Sequence, residues 1–306
     1  METMERSNTA ADVLADPKRR NLMAKAFGGA ILAAAGLGLA RAAQAQAAIT
    51  DADILNFALN LEYLEGEYYT LAISGQTLDQ IGIGVTGVGA QGSVIVKSNP
   101  KVPFTTTLTQ QFAVNLAADE QNHVKLLRSA LGSKAVAQPQ IDLLNSFNTA
   151  AKAAGLGNAF DPFADEMSFL LGSFIFEDVG VTAYHGAAAL IQDKGILGTA
   201  AGILAVEAYH AGSIRTRIFR AGQAAQDASA KIAALRAAAS AAVAPAGTPT
   251  PDDMGVALSS TQSKILNADK DSIAFSRNTT QVLNIVTLGG GHTGGFFPNG
   301  MNGTIK

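Results

Sequence analysis

Glu-x-x-His occurs twice, at Glu120–His123 and Glu207–His210, each time inside an otherwise apolar helical stripe, and this restricts the chain more than any other feature. One stripe runs Phe112, Ala113, Leu116, Glu120, His123, Leu127, Ala130, and the other Ala200, Ile203, Leu204, Glu207, His210, Ala211, Ile214. Residues three and four apart share a helix face, so both pairs aim at the interior. Two further stripes each hold one carboxylate. Glu62 lies among Leu55, Ala58, Leu59, Gly66, Tyr69 and Ile73, and Glu177 among Leu170, Phe174, Gly180, Val181, Tyr184 and Ala188. With nine Glu and four His in 306 residues, chance places a Glu-x-x-His in about one chain in eight. Two copies on separate helices are a pattern.

An isolated ionised carboxylate in a low-dielectric interior costs many kcal/mol, and four together repel one another. Two divalent cations remove the conflict, since four negative charges then meet four positive ones. The expected arrangement has Glu62 and Glu177 as terminal ligands, Glu120 and Glu207 bridging, and His123 and His210 on one metal each. Two separate Glu–His salt bridges are the competing reading, and they leave Glu62 and Glu177 unexplained. Oxygen-rich ligation with two imidazoles suits iron or manganese. The absence of Cys excludes thiolate zinc, iron–sulfur clusters and thiol nucleophiles.

Tyr69 follows Glu62 by seven residues and Tyr184 follows Glu177 by seven, two helical turns along one face. Each of these helices precedes a Glu-x-x-His helix, so the chain reads as two helix hairpins related by a pseudo-two-fold axis. Both tyrosines read either as donors of hydrogen bonds to metal-bound carboxylates or as core tyrosines with satisfied hydroxyls. Glu65 is as far from the polar face of its helix as Glu62, and stands as the alternative to it, a further ligand or a proton relay. Glu67 belongs to the polar face and is expected to be solvated. Asp119 and Asp178 are turned by about 100° from their neighbouring ligands and read as structural. Arg215 and Arg217 are expected to pair with surface acids, His185 lies off its stripe, and His292 is a solvated loop residue.

Long helices are predicted over about 51–73, 107–131, 162–191 and 199–221, with a shorter one near 141–154. The third is apolar nearly all round and should be central. Residues 75–105, rich in Gly and β-branched residues, read as an excursion holding a short hairpin. An Ala-rich helix over 224–243 suggests packing on the outside. A loop over 245–255, a short helix over 279–287 and a Gly-rich tail follow. Upstream, the basic cluster Lys18, Arg19, Arg20 and Lys25, the apolar run 26–40 and Ala45-Gln46-Ala47 form the order of a secretory signal. Arg19-Arg20-Asn21-Leu22-Met23 resembles a twin-arginine signal. The run of about 15 apolar residues is short for a membrane span. The domains are therefore expected to be a cleaved leader over 1–47, a bundle over 48–222 and a C-terminal helix with its extension over 223–306, the mature protein exported to the periplasm or cell envelope. Net charge is −3, so no basic footprint points to nucleic acid.

The order Glu, Glu-x-x-His, Glu, Glu-x-x-His resembles the ferritin-like di-metal carboxylate superfamily. The segments NLEYLEGEYY (60–69), FEDVGVTAYHGAA (176–188), VEAYHAGSIR (206–215) and GGFFPNGMNG (294–303) look like the ferritin-like desiccation-related proteins of bacteria and plants. This resemblance implies an all-α, ferritin-like four-helix bundle with an insertion between helices one and two, a long connection between two and three, and a C-terminal extension. It implies a two-metal site at the six residues named. Expected reactants are peroxide, dioxygen or metal ions, in oxidative or desiccation stress protection. The alternative is a non-catalytic, metal-stabilised structural or partner-binding envelope protein. A homo-oligomer is left open, and no feature specifies a storage cage.

Overall fold

Thr50 and Asp53 open the first helix reciprocally: the Thr50 hydroxyl accepts from Asp53 N at 3.3 Å, and the Asp53 carboxylate from Thr50 N at 2.9 Å. The computed structural model describes residues 49–246 and 253–306, all within the compact unit Ala48–Lys306. The expected leader and residues 247–252 of the expected loop lie outside the described residues.

Four long helices are α1 (Asp51–Ser74), α2 (Thr107–Leu131), α4 (Glu166–Ala188) and α5 (Lys194–Arg220). Between α2 and α4 lies the short α3 (Asn145–Ala153), and α6 (Gln223–Ala242) and α7 (Thr279–Val286) follow the bundle. The fold is all-α with very little strand. Helix α5 begins five residues before the predicted Thr199, because the Asp193 carboxylate accepts from Ile196 N at 2.9 Å and starts the helix ahead of Gly195 and Gly198. Helix α4 likewise begins after its cap Asp165 rather than at Pro162.

Cross-helix contacts fix the directions. Gln121 donates to Thr70 at 3.1 Å and Arg128 to Tyr63, so α1 and α2 run antiparallel. Tyr69 meets Glu177 and Tyr184 meets Glu62, so α1 and α4 are antiparallel too. The result is two hairpins, α1/α2 and α4/α5, joined face to face.

No hairpin forms in the 75–105 insertion. Its strand β1 (Val94–Ile95) pairs parallel with β2 (Ile141–Asp142) from the long connection. Gly92 serves close approach rather than a turn: a Cβ there would stand 2.7 Å from Gln140 Cβ, overlapping that backbone. The tail motif locks the same region. Asn302 Nδ2 donates to Ala90 O and Ala137 O at 2.8 Å each, and Asn302 O accepts from Asn60 Nδ2 at 2.9 Å. Phe296 packs edge-on to Phe147 and Phe176, with ring centres 5.1 and 5.0 Å apart. The Gly-rich tail thus clasps helix, insertion and connection together.

Helix α6 is no simple outer layer. It carries Arg236 into a buried network with Asp253 (Nη2 to Oδ1 2.9 Å) and Asp178 (2.8 Å), where Arg277 also donates to Asp253 at 2.7 Å. Arg215, expected at the surface, is buried here and donates to Asp178 at 2.7 Å and to carbonyls of Gly255 and Lys264 at 2.8 Å. Two of these partners, Gly255 and Lys264, come from the extension, which helical spacing alone does not reveal. Among the described residues no helix is long and apolar enough to cross a membrane.

Candidate metal centre

Each of the four bundle helices turns one carboxylate onto the shared axis, and Glu62, Glu120, Glu177 and Glu207 are all fully buried. One ligand atom from each of Glu62, Glu120, His123 and Glu207 lies within 4.8 Å of the others, and the same holds for Glu120, Glu177 and His210. Glu120 belongs to both groups and joins them. His123 Nδ1 is 3.1 Å from Glu120 Oε2 and 3.3 Å from Glu62 Oε2; His210 Nδ1 is 3.1 Å from Glu120 Oε1 and 3.2 Å from Glu177 Oε2.

Six of these buried atoms have no hydrogen-bond partner: Glu62 Oε2, Glu120 Oε1, Glu177 Oε2, both Glu207 oxygens and His210 Nδ1. Buried polar atoms are normally satisfied, and each orphan costs about 1–3 kcal/mol or more when charged. Their convergence on one volume is what a cation-binding cluster requires. The opposite ring nitrogen of His210 is held by Asp119, Nε2 to Oδ2 3.1 Å. That is how a metal-binding imidazole is oriented from behind, so Asp119 belongs to the site rather than to the scaffold. Tyr69 donates to Glu177 Oε1 at 2.5 Å, and Tyr184 donates to Glu62 Oε1.

The electrostatics show the same strain. Burial, then the neighbouring Glu120 charge, pushes Glu62 up to about 7. Burial raises Glu207 well above the carboxylate range, with Glu65 and Glu120 adding repulsion. Burial also works against the imidazolium forms, yet Glu62 and Glu120 lift His123 to about 11, and Glu177 and Glu120 lift His210 to about 12. Burial opposes the charge on Glu120 as well, but the His123 and His210 rings lying against it outweigh that and hold its carboxyl far below the usual range. Without metal, the surrounding carboxylates thus favour positive charge on both rings.

Glu65 is buried but belongs to neither ligand group. Burial, then the charges of Glu120, Glu177 and Glu62, raises it well above the usual range. Its pseudo-two-fold mate is Gly180: Glu65 stands three residues after Glu62, and Gly180 three after Glu177. A Cβ at 180 would overlap Glu207 Oε2 and lie 2.9 Å from Glu207 Cδ, so the missing side chain makes room for that carboxylate. Glu67, expected in solvent, is fully buried and accepts from Leu78 N at 3.1 Å, because the insertion covers that face of α1. Arg217 stacks on the Phe112 ring at 4.0 Å instead of pairing with an acid. His185 faces Phe275 O at 3.2 Å, and His292 faces Lys306 O at 2.5 Å near the surface, both away from the cluster.

Residues 50–220 match the family described as Ferritin-like domain, and the chain belongs to it. It is similar to the Ferritin-like catalase Nec2 of Nesocodon mauritianus, with 28% identity over 270 residues, 83% of this chain and 84% of that protein. It is also similar to the Desiccation-related protein PCC13-62 of Craterostigma plantagineum, with 31% identity over 174 residues, 56% of this chain and 53% of that one. No solved structure matches the chain.

Proposed function

We propose that this protein is an exported dimetal carboxylate enzyme that disproportionates hydrogen peroxide and protects the cell envelope under oxidative or desiccation stress. The convergence of six unpartnered ligand atoms carries the metal reading. Likeness to a relative named a ferritin-like catalase over most of both chains supports the reaction. The leader-like order of residues 18–47 supports export.

Glu62, Glu120, His123 and Glu207 would hold one ion, and Glu120, Glu177 and His210 the other. Iron or manganese suits this mixed oxygen and imidazole set, and two such ions supply the redox chemistry that passes two electrons from one peroxide to another. The balance is one peroxide losing two electrons and two protons as dioxygen, and the second gaining both pairs as two waters. The chain's own part is positioning and proton keeping. Tyr69 and Tyr184 fix the outer oxygens of Glu177 and Glu62. Glu65, buried beside the cluster on the same helix as Glu62, is the chain's candidate for a proton relay.

The test is metal analysis with an oxygen-release assay on protein reconstituted with Mn²⁺ or Fe²⁺. Two ions per chain and steady oxygen release from peroxide are expected, and Glu120→Ala plus Glu207→Ala should abolish both. Two ions retained after those changes would refute the ligand assignment. Tight metal binding with no peroxide turnover would instead favour the non-catalytic, metal-stabilised role.

A further inference from the structure

The pseudo-two-fold symmetry of the bundle is broken at its two ends. Seven residues before Glu62 stands Leu55, seven after Glu177 Tyr184, four after His123 Leu127, and four before Glu207 Ile203. All four line one cavity of about 270 Å³ between the bundle helices. At 1.5 Å rise per residue these positions lie about 6–10 Å along the axis from the ligands. The lining grades outward: Leu55, Leu127, Tyr184 and Ile203 are buried, whereas Leu126, Ala130 and Thr199 at its rim are exposed. The floor is Tyr184, whose hydroxyl donates to Glu62.

At the opposite end the matching positions are Tyr69, Leu116, Leu170 and Ile214, all buried in the core. Tyr69 is wedged between Tyr68 and Phe169, with ring centres 5.1 and 5.8 Å apart. The cavity that touches Glu65 and Gly180 measures about 20 Å³, room for roughly one water.

We infer that the 270 Å³ cavity at the Tyr184 end is the access route by which a small uncharged oxidant reaches the cluster, Tyr184 forming its inner wall. The inference rests on the metal reading above. Its largely apolar lining disfavours ions, which would shed hydration there, and admits neutral molecules the size of peroxide or dioxygen. It makes the Glu62–His123 half of the cluster the one that substrate meets first.

The test blocks the rim with Ala130→Phe plus Thr199→Phe, both at exposed positions, and uses Val114→Phe, exposed elsewhere on α2, as control. Thermal melting confirms that each variant folds. Nitric oxide, small and neutral, is mixed with Fe²⁺-loaded protein, and its binding is followed by absorbance; xenon-pressurised crystals report the cavity directly. Wild type and control should show xenon beside Tyr184. The blocked variant should lose it and bind nitric oxide at least tenfold more slowly at unchanged iron content. An unchanged binding rate with iron retained overturns the route alone. A protein that takes up no iron overturns the metal reading, and the route with it.

Discussion

Gly180→Ala separates the role of Glu207 in the metal-free protein from its role when metal is bound. In a helix interior Ala is favoured over Gly by about 1 kcal/mol. At 180 the new methyl would overlap Glu207 Oε2 and stand 2.9 Å from its Cδ. Without metal, both Glu207 oxygens lack hydrogen-bond partners, so the carboxylate end can swing away at the cost of one side-chain rotation. Unfolding of chelated protein should therefore show a change between about zero and 1 kcal/mol of stabilisation, or up to roughly 2–4 °C in Tm. With metal, the same carboxylate is meant to be fixed, and displacing it should weaken metal affinity about 10–100-fold, as loss of a supporting contact does. Calorimetric metal titration alongside thermal melts reads both quantities. Unaltered affinity would refute the placement of Glu207 as a ligand, and a chelated variant destabilised by several kcal/mol would show that the carboxylate is packed rather than free.

Protonation should make the metal-free protein lose stability as pH rises. Folded Glu62 holds its proton to about 7, against about 4.5 unfolded, so its contribution is largest below 4.5 and disappears as pH climbs through 7. His123 and His210, raised to about 11 and 12, contribute fully below 6.5 and progressively less above it. The signs agree, so chelated protein should melt lower at pH 8.5 than at pH 5.5, by on the order of a few kcal/mol. Metal loading should reverse the trend, since the ligands must shed those protons to bind; the same order with and without metal would count against the site. Asp253→Asn leaves Arg236 and Arg277 without their shared buried carboxylate, and denaturant unfolding should show a loss of about 3–5 kcal/mol.

What the sequence makes legible follows from the range over which each feature is encoded. Glu120 and His123 are three apart, and so are Glu207 and His210; local helical spacing suffices to turn each pair inward. Glu67 illustrates the limit. The spacing places it opposite the site on α1, and a helix with one buried face would leave it in water. In the fold, insertion, connection and tail wrap α1 on that side, and Tyr63, Leu64, Tyr68 and Leu71 are buried with Glu67. Those bulky residues off the Glu62 stripe are the signal that the helix has no free face. Arg215 had no such signal, because its acceptors lie at Asp178, Gly255 and Lys264, brought together only by the extension. Asp119 was legible as a neighbour of Glu120 but not as the partner of a histidine 91 residues away.

The broken repeat also makes the two halves of the cluster chemically unequal. Asp119 precedes Glu120 and reaches the far nitrogen of His210, whereas the matching position before Glu207 is Val206, which has no carboxylate to offer His123. The His210 half is further anchored through Glu177 and Tyr69, at the end filled by aromatic rings. The His123 half joins Glu62 and Tyr184, at the end that opens into the cavity. A carboxylate behind an imidazole raises its basicity and fixes its orientation, so a cation at His210 would be held in a more rigid frame than one at His123. Rigidity on the filled side and room on the open side are what a pair of ions needs if one is to stay clamped while the other changes its coordination.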